Sequence, residues 1–180
     1  MQTILEKDRQ IWFSMWFLLA VATFGLAFFP MFYHFIENRN RHFRRERALE
    51  EQITTYLRQQ GKEAPALPES IVERNAKAWA ASIILVAPAF VITYLLSKDL
   101  SRHEALQDAF LTSAFPERIF MPQTIPIRKY ALITLITLGV GIVYWLYKIV
   151  NMYNAHFKTH RELEKEILRL MEEKRTEEPV

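Results

Sequence analysis

Three long runs without a formal charge constrain this chain more than any other feature. Ile11 to Tyr33 holds 23 residues, Ala78 to Leu96 holds 19, and Tyr130 to Tyr147 holds 18. About 20 apolar residues at 1.5 Å rise cross a hydrocarbon core of roughly 30 Å. Trp12 and Trp16 sit near the start of the first run, and Tyr144, Trp145 and Tyr147 close the third. Amphipathic aromatics of that kind favour membrane–water boundaries. The sequence therefore predicts an all-α integral membrane protein with three transmembrane helices. A charge-dense stretch, RNRHFRRER, follows the first run and reads as a stop-transfer signal, so that run is a retained anchor.

Cationic residues orient such a chain. Residues 1–10 carry two Lys or Arg, 37–77 nine, 98–129 five and 148–180 seven. Three spans put the first and third segments on one side and the second and fourth, richer in cations, on the other. The positive side faces the cytoplasm. The expected location is the cell (inner) membrane, multi-pass, with the amino terminus outside and the carboxyl terminus inside.

Outside the runs, helix signals are frequent. Helices one and three are expected to extend into the cytoplasm as charged amphipathic helices, the first continuous from Ile11 to Gln60 and kinked at Pro30. Gly61 is a C-cap candidate. Ser70 to Glu73 and Ser101 to Glu104 both read as capping boxes, opening helix two and a short external helix. Pro88 falls within the second run. Phe115 to Arg128 contains three prolines and reads as irregular. The expected organisation is 1–60, 61–128 and 129–180.

A shift of 114 residues lays the chain on itself without a gap. Leu18, Thr23, Gly25, Tyr33, Asn40, His42, Phe43, Arg47, Leu49, Glu50 and Ile53 fall on identical residues, 11 matches in the 40 pairs from Leu18 to Leu57. The polar core of the match is N-x-H-F-x3-R-x-L-E. Residues 129–180 thus read as a pseudo-repeat of 15–60. Gly25 and Gly139 would sit mid-span, allowing close helix approach. Leu49, Ile53 and Leu57 form a stripe at helical spacing, copied by Leu163, Ile167 and Met171. Two parallel helices would pair through these stripes.

Thr137, Leu138, Gly139, Tyr144, Trp145, Tyr147, Lys148 and Asn154 form a pattern over the third run and its flank. In this pattern the chain resembles a family of small prokaryotic membrane proteins, the domain of unknown function 4234. That resemblance covers about 35 residues. It implies a small multi-span protein and no particular activity.

Composition excludes several chemistries. There is no Cys, so a thiol nucleophile, an iron–sulfur cluster and a thiolate zinc site are ruled out; four Gly cannot build a phosphate cradle. No protease, hydrolase or nucleotide motif is present, and the chain reads as not an enzyme. Arg39, Arg41, Arg44 and Arg45 are candidates for anionic lipid headgroups. Glu46, Glu50 and Glu51 interleave the cluster and argue against nucleic acid. His103 reads as solvated.

One metal-ligating pattern stands out. His156 and His160 lie one helical turn apart, and the repeat sets His42 on His156 and Glu46 on His160. Three imidazoles and a carboxylate at one height suit zinc or another divalent metal. Three functions follow as expectations: a non-catalytic accessory, scaffold or assembly subunit that binds the bilayer and other membrane subunits or copies of itself; a small oligomeric pore; and a divalent-metal-binding membrane protein. The scaffold reading requires no cofactor. The pore reading relies on Ser14, Thr23, Ser82, Thr93, Thr134 and Thr137 as a polar stripe.

Overall fold

The computed structural model describes residues 10–83, 86–115 and 124–177. Six helices follow in order: α1 (Phe13–Ala22), α2 (Phe28–Gln59), α3 (Ala76–Ser82), α4 (Val86–Ala114), α5 (Ile127–Ile136) and α6 (Gly141–Glu177). They form three hairpins, each a short arm turning back into a long one. Trp16 of α1 faces His34 of α2, ring centroids 6.3 Å apart, and Tyr130 of α5 faces Tyr144 of α6 at 5.9 Å. The long helices α2, α4 and α6 run parallel and build the core.

The first and third runs turn at the same local device. Thr23 and Thr137 end α1 and α5, and the next two residues take positive φ: Phe24 and Gly25, Leu138 and Gly139. Gly25 N–H donates to the Ala20 carbonyl at 2.6 Å, and Gly139 N–H to that of Thr134 at 2.8 Å. These bonds satisfy carbonyls that a helix end leaves orphaned. The threonine hydroxyls then accept from the N–H groups opening the next helices, Ala27 at 3.1 Å and Gly141 at 2.7 Å. Gly25 and Gly139 thus serve a chain reversal, not the mid-span helix contact expected from the sequence. The neighbouring Gly141 permits close packing of α5 on α6, since a Cβ there would lie 2.8 Å from the Thr134 Cα.

Reversal overturns the three-span architecture. Among the described residues no helix is long and apolar enough to cross a membrane. The expected multi-pass integral protein of the cell (inner) membrane, with its termini on opposite sides, fails with it. Asn154 in α6 gives the direct evidence on orientation. Its side-chain amide donates to the Ile11 carbonyl at 2.8 Å and accepts from the Ile11 N–H at 3.0 Å. The start of α1 therefore lies beside a segment assigned to the opposite side. The α4 segment assigned outside packs between α2 and α6.

Local signals are corrected similarly. Helix α3 opens at Asn75, whose side chain accepts from the Ala78 N–H at 3.0 Å, not at Ser70. Ser101 to Glu104 lies inside the uninterrupted α4. Pro30 and Pro88 occupy the first turns of α2 and α4, where a missing N–H breaks no helical bond. Gly61 (φ +65°) does cap α2, with Lys62 N–H bonded to the Leu57 carbonyl at 2.9 Å. Helix α5 begins at Ile127, and residues 116–123 of the proline-containing segment lie outside the described residues.

Two apolar clusters fill the core. One, nearer the turns, joins Phe32, Phe35 and Ile36 of α2 to Ile92, Leu96 and Leu100 of α4 and Ile149, Val150 and Tyr153 of α6. The other joins Leu49, Ile53 and Leu57 to Phe110, Leu111 and Ile167, with Leu163 and Met171 at its margin. The two repeated stripes share this second cluster, but α4 contributes to it as well. The assembly is three-stranded where the sequence predicted a pair.

Candidate metal centre

Between the two apolar clusters lies a buried polar layer. His42 comes from α2, His103 from α4, His156 and His160 from α6. Register places two of them there: His42 and His156 each lie 17 residues beyond the turn glycines Gly25 and Gly139, and His103 lies on α4, 17 residues beyond its first residue, Val86. Each histidine has a polar residue one turn later: Glu46, Gln107 and His160. Parallel packing brings the three pairs to one height. All four imidazoles are buried, His42 completely.

One ring nitrogen from each histidine lies within 4.8 Å of one from every other. Four nitrogens bound to one zinc at 2.0–2.1 Å would sit about 3.3 Å apart. Coordination would draw the four rings closer together than they stand. The set therefore fits a transition metal that accepts imidazole, such as zinc, copper, iron or nickel.

The hydrogen bonds define a proton order for the metal-free chain. The Arg45 guanidinium, which only donates, lies 3.3 Å from Nδ1 of His42. Nδ1 accepts, so the His42 proton is on Nε2, which donates to His156 Nε2 at 2.9 Å. His156 then carries its proton on Nδ1 and donates to the Glu104 carboxylate at 2.5 Å. A carboxylate holding the far nitrogen of a histidine is the usual partner of a metal-bound imidazole. Glu46 sits on the other side of the layer, paired with His160 Nδ1 and accepting from Gln107 Nε2 at 2.6 Å. His103 Nε2 lies 3.0 Å from Glu46 Oε2, close enough to pair with it but outside regular hydrogen-bond geometry.

Charge follows burial and neighbours. Burial disfavours the Glu46 carboxylate, yet His160, His42 and His103 together hold its pKa well below the usual carboxylate value. Burial pushes the His156 pKa well down, aided by the neighbouring imidazoles. Burial also opposes charge on His160, but the Glu46 carboxylate outweighs it and raises that pKa. These shifts support a His160–Glu46 ion pair beside a neutral His156 imidazole.

A cavity of about 530 Å³ reaches the layer from the side. It is lined by Phe43, Glu46 and His103 within, and by Arg44, Arg47 and Glu73 toward the opening. Of the polar layer, Glu46 and His103 line this cavity.

No protein-family model, curated protein or solved structure matches this chain.

The four metal ligands read from the sequence, His42, Glu46, His156 and His160, do come together. The sequence reading missed His103, Glu104 and Gln107. The His-x3-polar spacing of His103 and Gln107 is the available signal; His103, expected to be solvated beside the Ser101 to Glu104 capping box, is buried. The arginine cluster disperses. Arg39 is fully buried, bonded to Asp99 at 2.8 Å and to the Val72 carbonyl at 2.9 Å. Arg45 faces Glu164 at 3.4 Å, Arg41 bonds Asn38, and exposed Arg44 pairs with Glu73 at 2.9 Å. Arg39 and Arg45 thus face protein groups, not lipid headgroups.

Proposed function

We propose that this chain is a transition-metal-binding helical bundle. Four histidines form the ligand set, Glu104 orients one of them, and Glu46 stands as a further carboxylate donor. One observation carries this reading: four buried imidazoles from three helices converge with their nitrogens within 4.8 Å. A polar layer of this size between two apolar clusters costs stability, because each buried polar group loses water and each charge must find a partner. Apolar side chains would close the bundle better. A bound ion would replace proton-shared contacts with coordinate bonds and offset that cost.

The scaffold and pore readings draw less support. The hydroxyls of Thr23, Thr93, Thr134 and Thr137 bond carbonyls of their own helices at 2.7–2.8 Å and offer no polar stripe to a lumen.

The test is metal analysis of the purified full chain, followed by thermal unfolding with added zinc, copper, iron or nickel. Stoichiometric metal, lost in His103→Ala and His156→Ala, is the expected result. A metal-free chain that gains no thermal stability from any of these ions would overturn the reading, because a ligand confined to the folded state must stabilise it.

A further inference from the structure

The turns that end the short arms carry large apolar side chains into the open. Phe24 is 99% exposed and Leu138 95% exposed, both at positive φ. Left-handed turn positions favour Gly, Asn or Asp, so a phenylalanine and a leucine there are costly on two counts: backbone strain and exposed apolar surface. The tips also gather at one end of the bundle. A Cβ on Gly139 would lie 3.4 Å from the Phe90 ring of α4, and a cavity of about 350 Å³ is lined jointly by Phe24, Phe29, Ile83, Ala89 and Val143. All three hairpins contribute to this end. The residues lining that cavity all belong to the three uncharged runs or adjoin them.

At the bases of the same hairpins the chemistry changes. Lys77 opens α3, Arg128 and Lys129 open α5, and all three are exposed. Lys148 lies 5.5 Å over the Tyr144 ring in α6, and Trp12 is exposed beside α1. No acidic partner holds Lys77, Arg128, Lys129 or Lys148 among the described residues. An apolar end thus stands above a collar of cations and aromatics. Arms of ten residues reach about 15 Å, half of a hydrocarbon core of roughly 30 Å.

We propose that this end seats in one leaflet of an anionic phospholipid bilayer, entering to the depth of the hairpins without crossing. The collar points to the occupant: anionic headgroups complement its cations and suit its interfacial aromatics. The metal layer, on the far side of the first apolar cluster, stays outside the membrane. This inference is independent of what that layer binds.

The experiment is flotation of the purified full chain with phosphatidylcholine vesicles, with and without phosphatidylglycerol. The expected result is co-flotation with the anionic vesicles, weakened by salt. Phe24→Asp with Leu138→Asp should lower partitioning by at least about tenfold at an unchanged thermal transition, since both side chains leave the protein surface open. Arg128→Glu with Lys129→Glu provides a second test that leaves the tips intact, and should selectively weaken binding to anionic vesicles. A wild-type chain that fails to float with either vesicle would overturn the proposal. So would a concentration-dependent dimer broken by the tip variants without vesicle binding, which would assign the end to a second copy.

Discussion

His42 Nε2 lies 2.9 Å from His156 Nε2, and these two residues are partners under the 114-residue shift. Glu46 and His160, the next pair one turn on, are in contact as well. Repeat-equivalent positions meet because α2 and α6 run parallel from equivalent turns. Sequence symmetry thus becomes spatial proximity, and α4 completes the layer from outside the repeat.

The first prediction concerns Glu104. It holds His156 Nδ1 and should fix the ring for coordination. Glu104→Gln is expected to weaken zinc affinity about 10- to 100-fold while leaving stoichiometry at saturation unchanged. Competition titration against a chelator measures this. An unchanged affinity would show that Glu104 has no orienting role.

Glu50 provides a pH test. Burial, reinforced by the neighbouring Glu46 carboxylate, pushes its pKa from 4.5 up to about 7. The folded chain then holds a proton that the unfolded chain has released. Its stabilising contribution is fully present below about pH 4.5 and is lost as pH rises through about 7. Glu50→Gln should match the wild type in acid and become the more stable protein at pH 8. Urea midpoints across that range, measured with chelator present, would contradict this if the two curves stay parallel.

The turns should be intolerant of side chains. Gly139 sits at φ +96°, and Gly141 would place a Cβ 2.8 Å from the Thr134 backbone. Gly139→Ala is expected to cost about 1–2 kcal/mol from backbone strain. Gly141→Ala should cost at least as much, because backbone must shift to admit it. Gly61→Ala, with open space around its Cβ position but φ +65°, isolates the conformational part alone. Chemical denaturation of the three variants ranks them.

Arg39 and Asp99 form a buried pair at 2.8 Å, and Asp99 also holds Arg74 at 2.6 Å. Asp99→Ala leaves the Arg39 guanidinium buried without its carboxylate and should destabilise by about 3–5 kcal/mol. Arg74→Ala leaves the inner pair intact and should cost much less. Equal losses in the two variants would mean that the outer contact carries the interaction.

Much of the polar site was legible in the sequence, and much of the architecture was not. The 114-residue shift and the one-turn spacing of His156 and His160 identified four residues that do meet. They were readable because helical periodicity and repeat register are local properties. His103 was not readable in the same way. It lies 61 residues from His42, outside the repeat, and only the docking of α4 between α2 and α6 brings it in.

The apolar runs mark the other boundary. Sequence alone determined that residues 11–33, 78–96 and 130–147 are uncharged, mostly apolar and in need of an apolar environment. It also contained Thr23-Phe24-Gly25 and its copy Thr137-Leu138-Gly139, already visible as matched residues. Whether those triplets end a helix or pass through one depends on competing uses of the same backbone groups. Continuing the helix satisfies each carbonyl locally. Reversing it leaves carbonyls that glycine N–H groups and a threonine hydroxyl must cap, and it is favoured when the returning arm finds a surface to cover. Phe13 against Tyr147 provides that surface across distant segments, and Tyr130 against Trp145 provides it within a hairpin, ring centroids 5.8 and 6.2 Å apart. Hydropathy registers how much apolar surface a run carries. Which neighbour covers it is decided only when three hairpins assemble.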